Sequence, residues 1–291
     1  MTPAGVPELV WVNGRAAGEV SALERGLHFG DGLFETIACE GGRPRFLELH
    51  LRRLAAGCAR LGLEAPEAAT LRAEVQQLAA PCGRAIIKVL LTRGAAAARG
   101  YAVTGFEKPT RISLRYAWPP EDPGLARAGV RVRIAALRLG ENPALAGLKH
   151  CNRLEQVLAR REWTDTGIAE ALMFSSAGAL VSGTMSNVFM VRDAKLYTPR
   201  VDRCGVAGVM RQVVLAAAAD AAIAAEECIL DSQGLASAHE VFLTNALMGI
   251  RPVRELDGRP LAPGPLTRRL QARLAPLLSV RAQPLEAGGD G

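Results

Sequence analysis

Lys149 is the residue of this sequence best suited to covalent chemistry. It lies in the run 147–156, GLKHCNRLEQ, where a loop leads into a predicted helix. A lysine amine acts as a nucleophile and forms imines only where burial or a neighbouring cation suppresses its protonation. Asn152 and Arg153 follow it at the start of the helix. The run predicts an imine-forming lysine, and an ordinary surface lysine is the alternative.

Two other segments are suited to binding a phosphate. Arg53 follows His50 by three residues on a predicted helix, so the two side chains share a face. The stretch 205–211, GVAGVMR, is a glycine-containing loop that enters a helix, and the first amides of a helix bind phosphate well. It has neither the Gly-Lys-Ser/Thr of a Walker loop nor a GxGxxG dinucleotide fingerprint. A solvated arginine and an ordinary helix start are the alternatives.

The segment 29–36, FGDGLFET, places two glycines around Asp31 just before a predicted strand. Taken alone, this pattern indicates a turn. Its functional alternative is a backbone that passes close to a ligand, which glycine permits. Taken together, the four segments predict a phosphate-bearing cofactor attached to Lys149.

Composition excludes several other classes of protein. The chain has 291 residues and a net charge of +6, but its 35 basic residues are interspersed with 29 acidic ones, which disfavours a nucleic-acid-binding patch. Its six cysteines form no CxxC pair and its four histidines are scattered, so no metal site is expected. We expect reduced cysteines, a cytoplasmic location, and neither a signal peptide nor a membrane span.

The elements that must position these residues divide into two groups. Residues 1–117 are predicted to form an N-terminal α/β domain, and residues 129–291 a larger C-terminal domain. The proline-rich segment 118–128 is predicted to link them. Periodicity predicts strands at 9–12, 33–39, 84–92, 110–117, 129–137, 169–174, 179–182, 187–191, 195–198, 240–244 and 250–255. It predicts helices across 47–61, 67–79, 151–163 and 208–225, and a frayed tail after residue 282.

The order and spacing of these segments, from about residue 11 to residue 252, resemble the fold-type IV enzymes that use pyridoxal 5'-phosphate (PLP). Three stretches carry the resemblance: 29–36, the run LKHCNRLEQVL at 148–158, and TNALM at 244–248. Within this family they are most similar to the aminodeoxychorismate lyases. The resemblance implies a two-domain α/β (α+β) fold with a smaller N-terminal domain and a larger C-terminal PLP-binding domain built on a mixed, barrel-like sheet.

The resemblance also implies a role for each matching residue. Lys149 carries PLP as a Schiff base and transfers protons. Arg53 and the amides of Val209 and Met210 bind the PLP phosphate. The resemblance further implies the residues that complete the two sites: Asn187, Asn245 and Ala246 at the cofactor, and Arg93 and Asn245 at the substrate. Arg93 would face a substrate carboxylate, and Thr36 would relay a proton. The family also implies a homodimer acting on an anionic small molecule.

Ser182 departs from the family pattern. Aligned on Asn187, it occupies the position where the family usually has a glutamate that pairs with the pyridine nitrogen of PLP. A carboxylate keeps that nitrogen protonated and strengthens the electron sink, whereas a serine hydroxyl shares only a neutral hydrogen bond. Transamination depends on a deep sink more than elimination does, so Ser182 favours a lyase. Glu170 is a nearby acid that is an alternative partner.

The sequence therefore predicts a PLP-dependent lyase that converts 4-amino-4-deoxychorismate to 4-aminobenzoate and pyruvate, a step of folate biosynthesis. Two alternatives stay open. One is a D-amino acid or branched-chain aminotransferase of the same fold. The other is a catalytically impaired protein that binds PLP, which Ser182 would explain.

Overall fold

A computed structural model describes residues 5–120 and 122–279, and its first half is built on an antiparallel sheet of six strands. The sheet order is β2-β1-β6-β5-β3-β4. The strands are β1 (Leu9–Val12), β2 (Arg15–Ala16), β3 (Gly32–Glu40), β4 (Arg43–Pro44), β5 (Arg84–Thr92) and β6 (Thr110–Ala117). The helices of this half are α1 (Arg25–Phe29), α2 (Leu47–Leu61) and α3 (Ala68–Ala79).

Helix α2 covers one face of this sheet because its apolar residues repeat at helical spacing. Leu47, Leu51, Leu54 and Cys58 are buried in one core cluster with alternate residues of β3 and β5. At Gly57 the helix comes so close to the sheet that an added Cβ would lie 2.7 Å from a Leu33 methyl carbon. The register of α2 on β3 fixes which polar residues of the helix meet the strand.

A second sheet of nine strands, with mixed directions, forms the other half. Its order is β12-β11-β10-β13-β14-β7-β8-β9, with β15 paired to β14. The strands are β7 (Val130–Leu139), β8 (Ile168–Ser175), β9 (Leu180–Gly183), β10 (Asn187–Arg192), β11 (Lys195–Pro199), β12 (Ala225–Cys228), β13 (Glu240–Asn245), β14 (Gly249–Leu256) and β15 (Arg259–Pro260). The sheet curls so that β9 returns beside β10 and β11. The helices are α4 (Leu125–Ala128), α5 (Leu154–Arg160), α6 (Val209–Asp220), α7 (Ser232–Ala236) and α8 (Pro265–Leu278).

The predicted mixed α/β architecture is confirmed, and strands β1, β5 and β6 have the bounds that periodicity gave them. The helix predicted across 208–225 was too long, since α6 ends at Asp220. Alanine favours a helix, but Ala222 adopts a left-handed turn with φ 53°, and the chain then pairs as β12 with β11. Helix α8 was not predicted, although Leu270 and Leu274 are buried on it.

Two further expectations concern the linker and the chain end. Residue 121, within the predicted linker, and the tail after residue 282 lie outside the described residues. Helix α4 falls in the last part of the predicted linker, directly before β7. Among residues 5–120 and 122–279, no helix has the length and apolar character needed to cross a membrane.

Replacing Leu54 by alanine should lower the free energy of unfolding by about 2–5 kcal/mol, because a side chain buried between α2 and the sheet would leave a cavity. Arg52→Ala, on the exposed face of the same helix, should change it by no more than about 0.5 kcal/mol. Urea unfolding of both variants measures the difference. Equal losses would contradict the packing of α2 described above.

Candidate active site

The loop that carries Lys149 is held on both sides by backbone pairing. On one side, Phe34 of β3 donates its amide to the Lys149 carbonyl at 2.9 Å, and Cys151 donates to the Gly32 carbonyl at 2.9 Å. On the other side, Gly147 pairs with the 205–207 segment that leads into α6, through two hydrogen bonds of 3.0 Å. Lys149 is thereby fixed between the N-terminal sheet and the start of α6.

Helix α2 also holds this loop. The Arg60 guanidinium donates to the Ala146 carbonyl at 2.7 Å and to the carbonyls of Ala144 and Pro143 at 2.9 and 3.2 Å. Arg153, just after the lysine, donates to the His150 carbonyl at 2.8 Å. Both arginines thus stabilise the loop by donating hydrogen bonds to backbone carbonyls that would otherwise lack partners in this irregular segment.

The surroundings of Lys149 favour its neutral amine. Burial, followed by the positive charge of Arg53, lowers the pKa of Lys149 to about 8. Arg153 and Lys88 lower this pKa further, and Glu35 opposes them. The ammonium nitrogen lies 4.2 Å from the centre of the Phe34 ring. The lysine therefore meets the condition for nucleophilic and base chemistry that the sequence alone could only state.

Arg53 is oriented by a buried carboxylate, Glu35, on β3. Its Nε donates to Glu35 Oε1 at 2.8 Å and its Nη2 to Oε2 at 2.5 Å, while His50 Nδ1 lies 2.6 Å from Oε2. Burial alone would raise the pKa of Glu35, but the Arg53 charge and the hydrogen bonds from His50 and Arg53 lower it to about 2. Sequence analysis missed Glu35. Its signal was an acidic residue between Leu33 and Ile37, on the inward face of a strand.

The remaining nitrogen of Arg53 points to the start of α6, where Nη1 donates to the Ala207 carbonyl at 3.0 Å. The next residue, Gly208, caps the helix without any side-chain hydrogen bond. The first-turn amides of Val209 and Met210 have no carbonyl partner within the helix, and such amides are the donors that anions bind at a helix start. Arg53 thus lies beside the loop that leads into this turn, and the predicted phosphate contacts of Arg53, Val209 and Met210 stay predictions.

Gly208 is required at this point because β10 approaches it closely. An added Cβ would lie 2.0 Å from Asn187 Oδ1. Asn187 is buried and donates its Nδ2 to the Val206 carbonyl at 2.9 Å. Asn187 therefore shapes the 205–208 loop from behind, and its predicted place at the cofactor is next to the proposed phosphate site.

Asn245 and Ala246 form the turn between β13 and β14. Asn245 Oδ1 accepts hydrogen bonds from the amides of Leu247 and Met248 at 3.0 and 2.9 Å, and Nδ2 donates to the Met185 carbonyl at 3.3 Å. The side chain thus stabilises the turn and ties it to the loop between β9 and β10. Its predicted contacts with cofactor and substrate stay predictions.

Ser182 is buried on β9 and donates its hydroxyl to the neighbouring Gly183 carbonyl at 2.8 Å. Glu170 is not an alternative partner for a ligand. Its carboxylate accepts five hydrogen bonds, from the amides of residues 171, 184 and 185 and from the hydroxyls of Thr184 and Ser186. Glu170 also packs against Gly183. Because neighbouring residues of a strand face opposite sides of the sheet, Glu170 lies on the side away from the Ser182 side chain. Glu170 instead stabilises the turn after β9.

The structure gives Arg93 partners other than a ligand. Its Nε and Nη2 donate to Asp31 at 2.8 and 3.1 Å, and it also donates to the carbonyls of Gly62 and Leu61. Burial alone would raise the pKa of Asp31, but hydrogen bonds from Arg93 and Arg25 lower it below its usual value. The geometry therefore does not favour the prediction that Arg93 receives a substrate carboxylate.

The glycines around Asp31 serve the protein's own packing. Gly30 has φ 64°, and an added Cβ would lie 2.5 Å from Asn152 Oδ1. At Gly32 the nearest atom would be the Leu91 carbonyl oxygen, at 2.6 Å. The tight turn brings the start of β3 against the lysine loop, which agrees with the turn interpretation of this segment.

Thr36 lies on the sheet face opposite to Glu35. Thr36 is two residues from Phe34 along β3, so both side chains face the same side of the sheet, and it is paired with Lys88 of β5. Because Phe34 contacts Lys149, this face of the sheet is the one that borders the lysine. The structure therefore places Thr36 on the same side as Lys149, as its predicted role in proton transfer requires.

Comparisons with known proteins show which sequences and structures this chain resembles. The profile described as "Amino-transferase class IV" matches residues 32–256. An aminodeoxychorismate lyase of Vibrio harveyi is 33% identical over 91% of this chain and 99% of its own length. A putative branched-chain-amino-acid aminotransferase of Methanocaldococcus jannaschii is 30% identical over 91% and 94%. The crystal structure of 4-amino-4-deoxychorismate lyase from Pseudomonas aeruginosa is 45% identical, with a TM-score of 0.88 over 91% of this chain and 98% of that one.

The wild-type protein should lose stability as the pH falls from 4.5 towards 2. In that window an unfolded Glu35 binds a proton, while the folded carboxylate, with its lowered pKa, does not. In Glu35→Gln the contribution of this carboxylate should be absent, so the unfolding free energy should be lower at neutral pH and should fall less steeply with pH than in wild type. Other carboxylates with a lowered pKa, such as Asp31, keep part of the slope. Urea unfolding of the protein without cofactor between about pH 5 and pH 3 measures both slopes. Glu64→Gln, at an exposed position, is the matched control, and parallel curves for the Glu35 variant and wild type would contradict the role of the pair.

Proposed function

Because the chain belongs to the amino-transferase class IV family, we propose that it is a PLP-dependent lyase that converts 4-amino-4-deoxychorismate to 4-aminobenzoate and pyruvate. The observation that carries the proposal is the position of Lys149, which is partly buried between β3 and the start of α6 and has its pKa lowered to about 8. The chain is also 45% identical to a 4-amino-4-deoxychorismate lyase of known structure. The cofactor is PLP, in keeping with the family.

The residues around the start of α6 fit the phosphate of this cofactor. Arg53 supplies a cation whose direction Glu35 fixes, and the amides of Val209 and Met210 supply donors at a helix start. The absence of a Cβ at Gly208 keeps that approach open beside Asn187. We assign further phosphate contacts to the Asn245–Ala246 turn. When bound, the cofactor supplies an electron sink for the substrate carbon that loses its proton.

Lys149 holds the cofactor and moves the proton. Its amine, once released by the incoming substrate amine, removes the proton from the carbon that bears that amine. With a pKa of about 8, a useful fraction of this amine is neutral near neutral pH. The carbon–oxygen bond to the enolpyruvyl group then breaks with its electron pair on the oxygen, and the ring becomes aromatic. The departing enolate takes up a proton at its methylene carbon to give pyruvate. Thr36, on the same side of the sheet, is the proposed relay for that proton.

Ser182 favours elimination over transamination. It offers a hydroxyl where the family usually has a carboxylate, and the Glu170 carboxylate is already saturated by five hydrogen bonds. We therefore propose that the cofactor ring is a weaker electron sink in this protein than in relatives with the glutamate, because Ser182 is its partner. The likeness to a putative branched-chain aminotransferase keeps transamination as the second candidate.

We also propose that the enzyme is a cytoplasmic homodimer. All six cysteines are free thiols, as suits a reducing compartment. Leu27, Tyr101 and Phe106 expose 70%, 83% and 80% of their surface, and apolar side chains of this size are frequent at subunit interfaces. Light scattering of the purified protein should give twice the chain mass of 30.8 kDa. A mass of one chain at micromolar concentration would contradict the dimer.

Purified enzyme loaded with PLP should release 4-aminobenzoate and pyruvate in equal amounts from 4-amino-4-deoxychorismate. Lys149→Ala should lower this rate by about 10³-fold or more, because it removes both the cofactor linkage and the base. It should also abolish the absorbance band of the lysine–cofactor linkage. Lys195→Ala, which removes an exposed lysine paired with Glu226, should change neither.

Other results would identify the alternatives. Transfer of the amino group from D-alanine or a branched-chain amino acid to a 2-oxo acid, without 4-aminobenzoate, would make the protein an aminotransferase. A linkage band without any turnover would indicate an impaired PLP-binding protein. Absence of the band in wild type would reject the assignment of Lys149.

A further inference from the structure

The imidazole of His50 is buried on α2, and a carboxylate of the neighbouring strand is its polar partner. Its Nδ1 lies 2.6 Å from Oε2 of Glu35 on β3. This nitrogen carries the proton of the contact, because an ionised carboxylate can only accept a hydrogen bond. Within residues 5–120 and 122–279, the other ring nitrogen, Nε2, has no hydrogen-bond partner. Any polar influence of His50 on the rest of the site therefore passes through Glu35.

Two residues of α2 share the Glu35 carboxylate. Arg53 donates to both of its oxygens, with Nε on Oε1 at 2.8 Å and Nη2 on Oε2 at 2.5 Å, and His50 adds a second donor to Oε2. The fork of Arg53 fixes the carboxylate relative to the guanidinium, but it leaves the joined pair free to turn as one unit. The donor from His50 removes that freedom, because it ties one oxygen to a second point of the helix.

The direction of Arg53 matters because its third nitrogen reaches the start of α6. Nη1 donates to the Ala207 carbonyl at 3.0 Å, directly before Gly208, the cap of α6. The exposed fraction of the side chains rises from 1% at His50 and 3% at Glu35 to 16% at Arg53. Arg53 is therefore the member of the three that a ligand can touch, and the other two lie behind it.

We propose that His50 is a positioning residue that acts through Glu35 to hold Arg53 against the phosphate of PLP, and that it thereby sets the affinity for the cofactor. The inference rests on the phosphate site of the proposed function. A guanidinium that is held in place before the phosphate arrives loses less side-chain freedom on binding, so the complex is tighter. His50 itself touches neither the cofactor nor the substrate. The KM for the substrate should therefore stay unchanged once the enzyme is saturated with PLP.

The test uses the difference between the two ring nitrogens of His50. The side-chain amide of asparagine places a donor where Nδ1 lies, whereas that of glutamine places it where Nε2 lies. His50→Asn should therefore keep most of the affinity for PLP, measured by equilibrium dialysis against the cofactor-free protein. His50→Gln and His50→Leu should each weaken it by about tenfold or more, because a displaced guanidinium loses much of a charge-assisted hydrogen bond. His239→Leu, at an exposed position, is the matched control and should leave the affinity unchanged.

Pyridoxal, which lacks the phosphate of PLP, separates a positioning role from a general loss of structure. His50→Leu should bind pyridoxal as tightly as wild type does, because the weakened contact is absent from this ligand. Equal losses of affinity for PLP and pyridoxal would show that His50 only supports the fold, and would overturn the proposal. Thermal unfolding shows which variants are folded, and His50→Asn and His50→Gln extend the comparison if His50→Leu is not.

A double substitution tests whether His50 acts through Glu35. Glu35→Gln alone should also weaken PLP binding, and adding His50→Leu should cause little further loss, since residues that act as one unit are not additive. Full additivity of the two losses would overturn the proposal. So would an unchanged affinity for PLP in a folded His50→Leu, or a loss in His50→Asn as large as that in His50→Leu.

Failure of the proposed function gives a different result. If wild type bound PLP no more tightly than pyridoxal, the phosphate site would be rejected, and this inference with it. A wild type that prefers PLP but releases no 4-aminobenzoate would reject the lyase function alone, and the affinities of the His50 variants would still decide the role of His50.

Discussion

The pairing of the buried Glu35 carboxylate with His50 and Arg53 is the interaction on which the site depends. It lies on β3, is held by His50 and Arg53 of α2, and fixes the direction of the Arg53 fork. Through that fork the N-terminal sheet reaches the Ala207 carbonyl at the start of α6 in the other half of the chain. Leaving this buried carboxylate unpaired would lower the stability of the fold by several kcal/mol. The pairing therefore fixes the register of α2 on β3.

The same constraint bears on the pKa of Lys149, which burial lowers first and the surrounding charges then adjust. Glu35 raises the pKa of Lys149, while Arg53, Arg153 and Lys88 lower it. Since Glu35 compensates the charge of Arg53, a guanidinium that faces the proposed phosphate site is not left unpaired. The positive field acting on Lys149 therefore comes from groups whose positions are fixed before any ligand arrives, which is the preorganisation that catalysis needs.

Sequence reasoning found the residues that carry their signal locally. Periodicity predicted β5 and α2. The run around Lys149 singled out a lysine that the structure places beside the segment leading into α6, where the phosphate site stays a prediction. It failed where the deciding contact is distant along the chain. Glu35 and Arg53 are 18 residues apart and Arg93 and Asp31 are 62 apart, so neither pairing can be read from a helix or strand pattern. The alanine-rich end of α6 was misjudged because pairing of β12 with β11 outweighs helix propensity.

Glu170 and Ser182 have separate roles around the end of β9. Glu170 stabilises the turn after β9 by accepting hydrogen bonds from Thr184, Met185 and Ser186. The turn keeps its shape when the neighbouring carboxylate is absent, and Ser182 satisfies its own hydroxyl on the adjacent carbonyl. If Ser182 faces the cofactor ring as proposed, this weaker partner leaves no unsatisfied hydroxyl in the scaffold. Elimination, in which the leaving group departs as charge develops and an aromatic product forms, is the reaction that tolerates such a partner best.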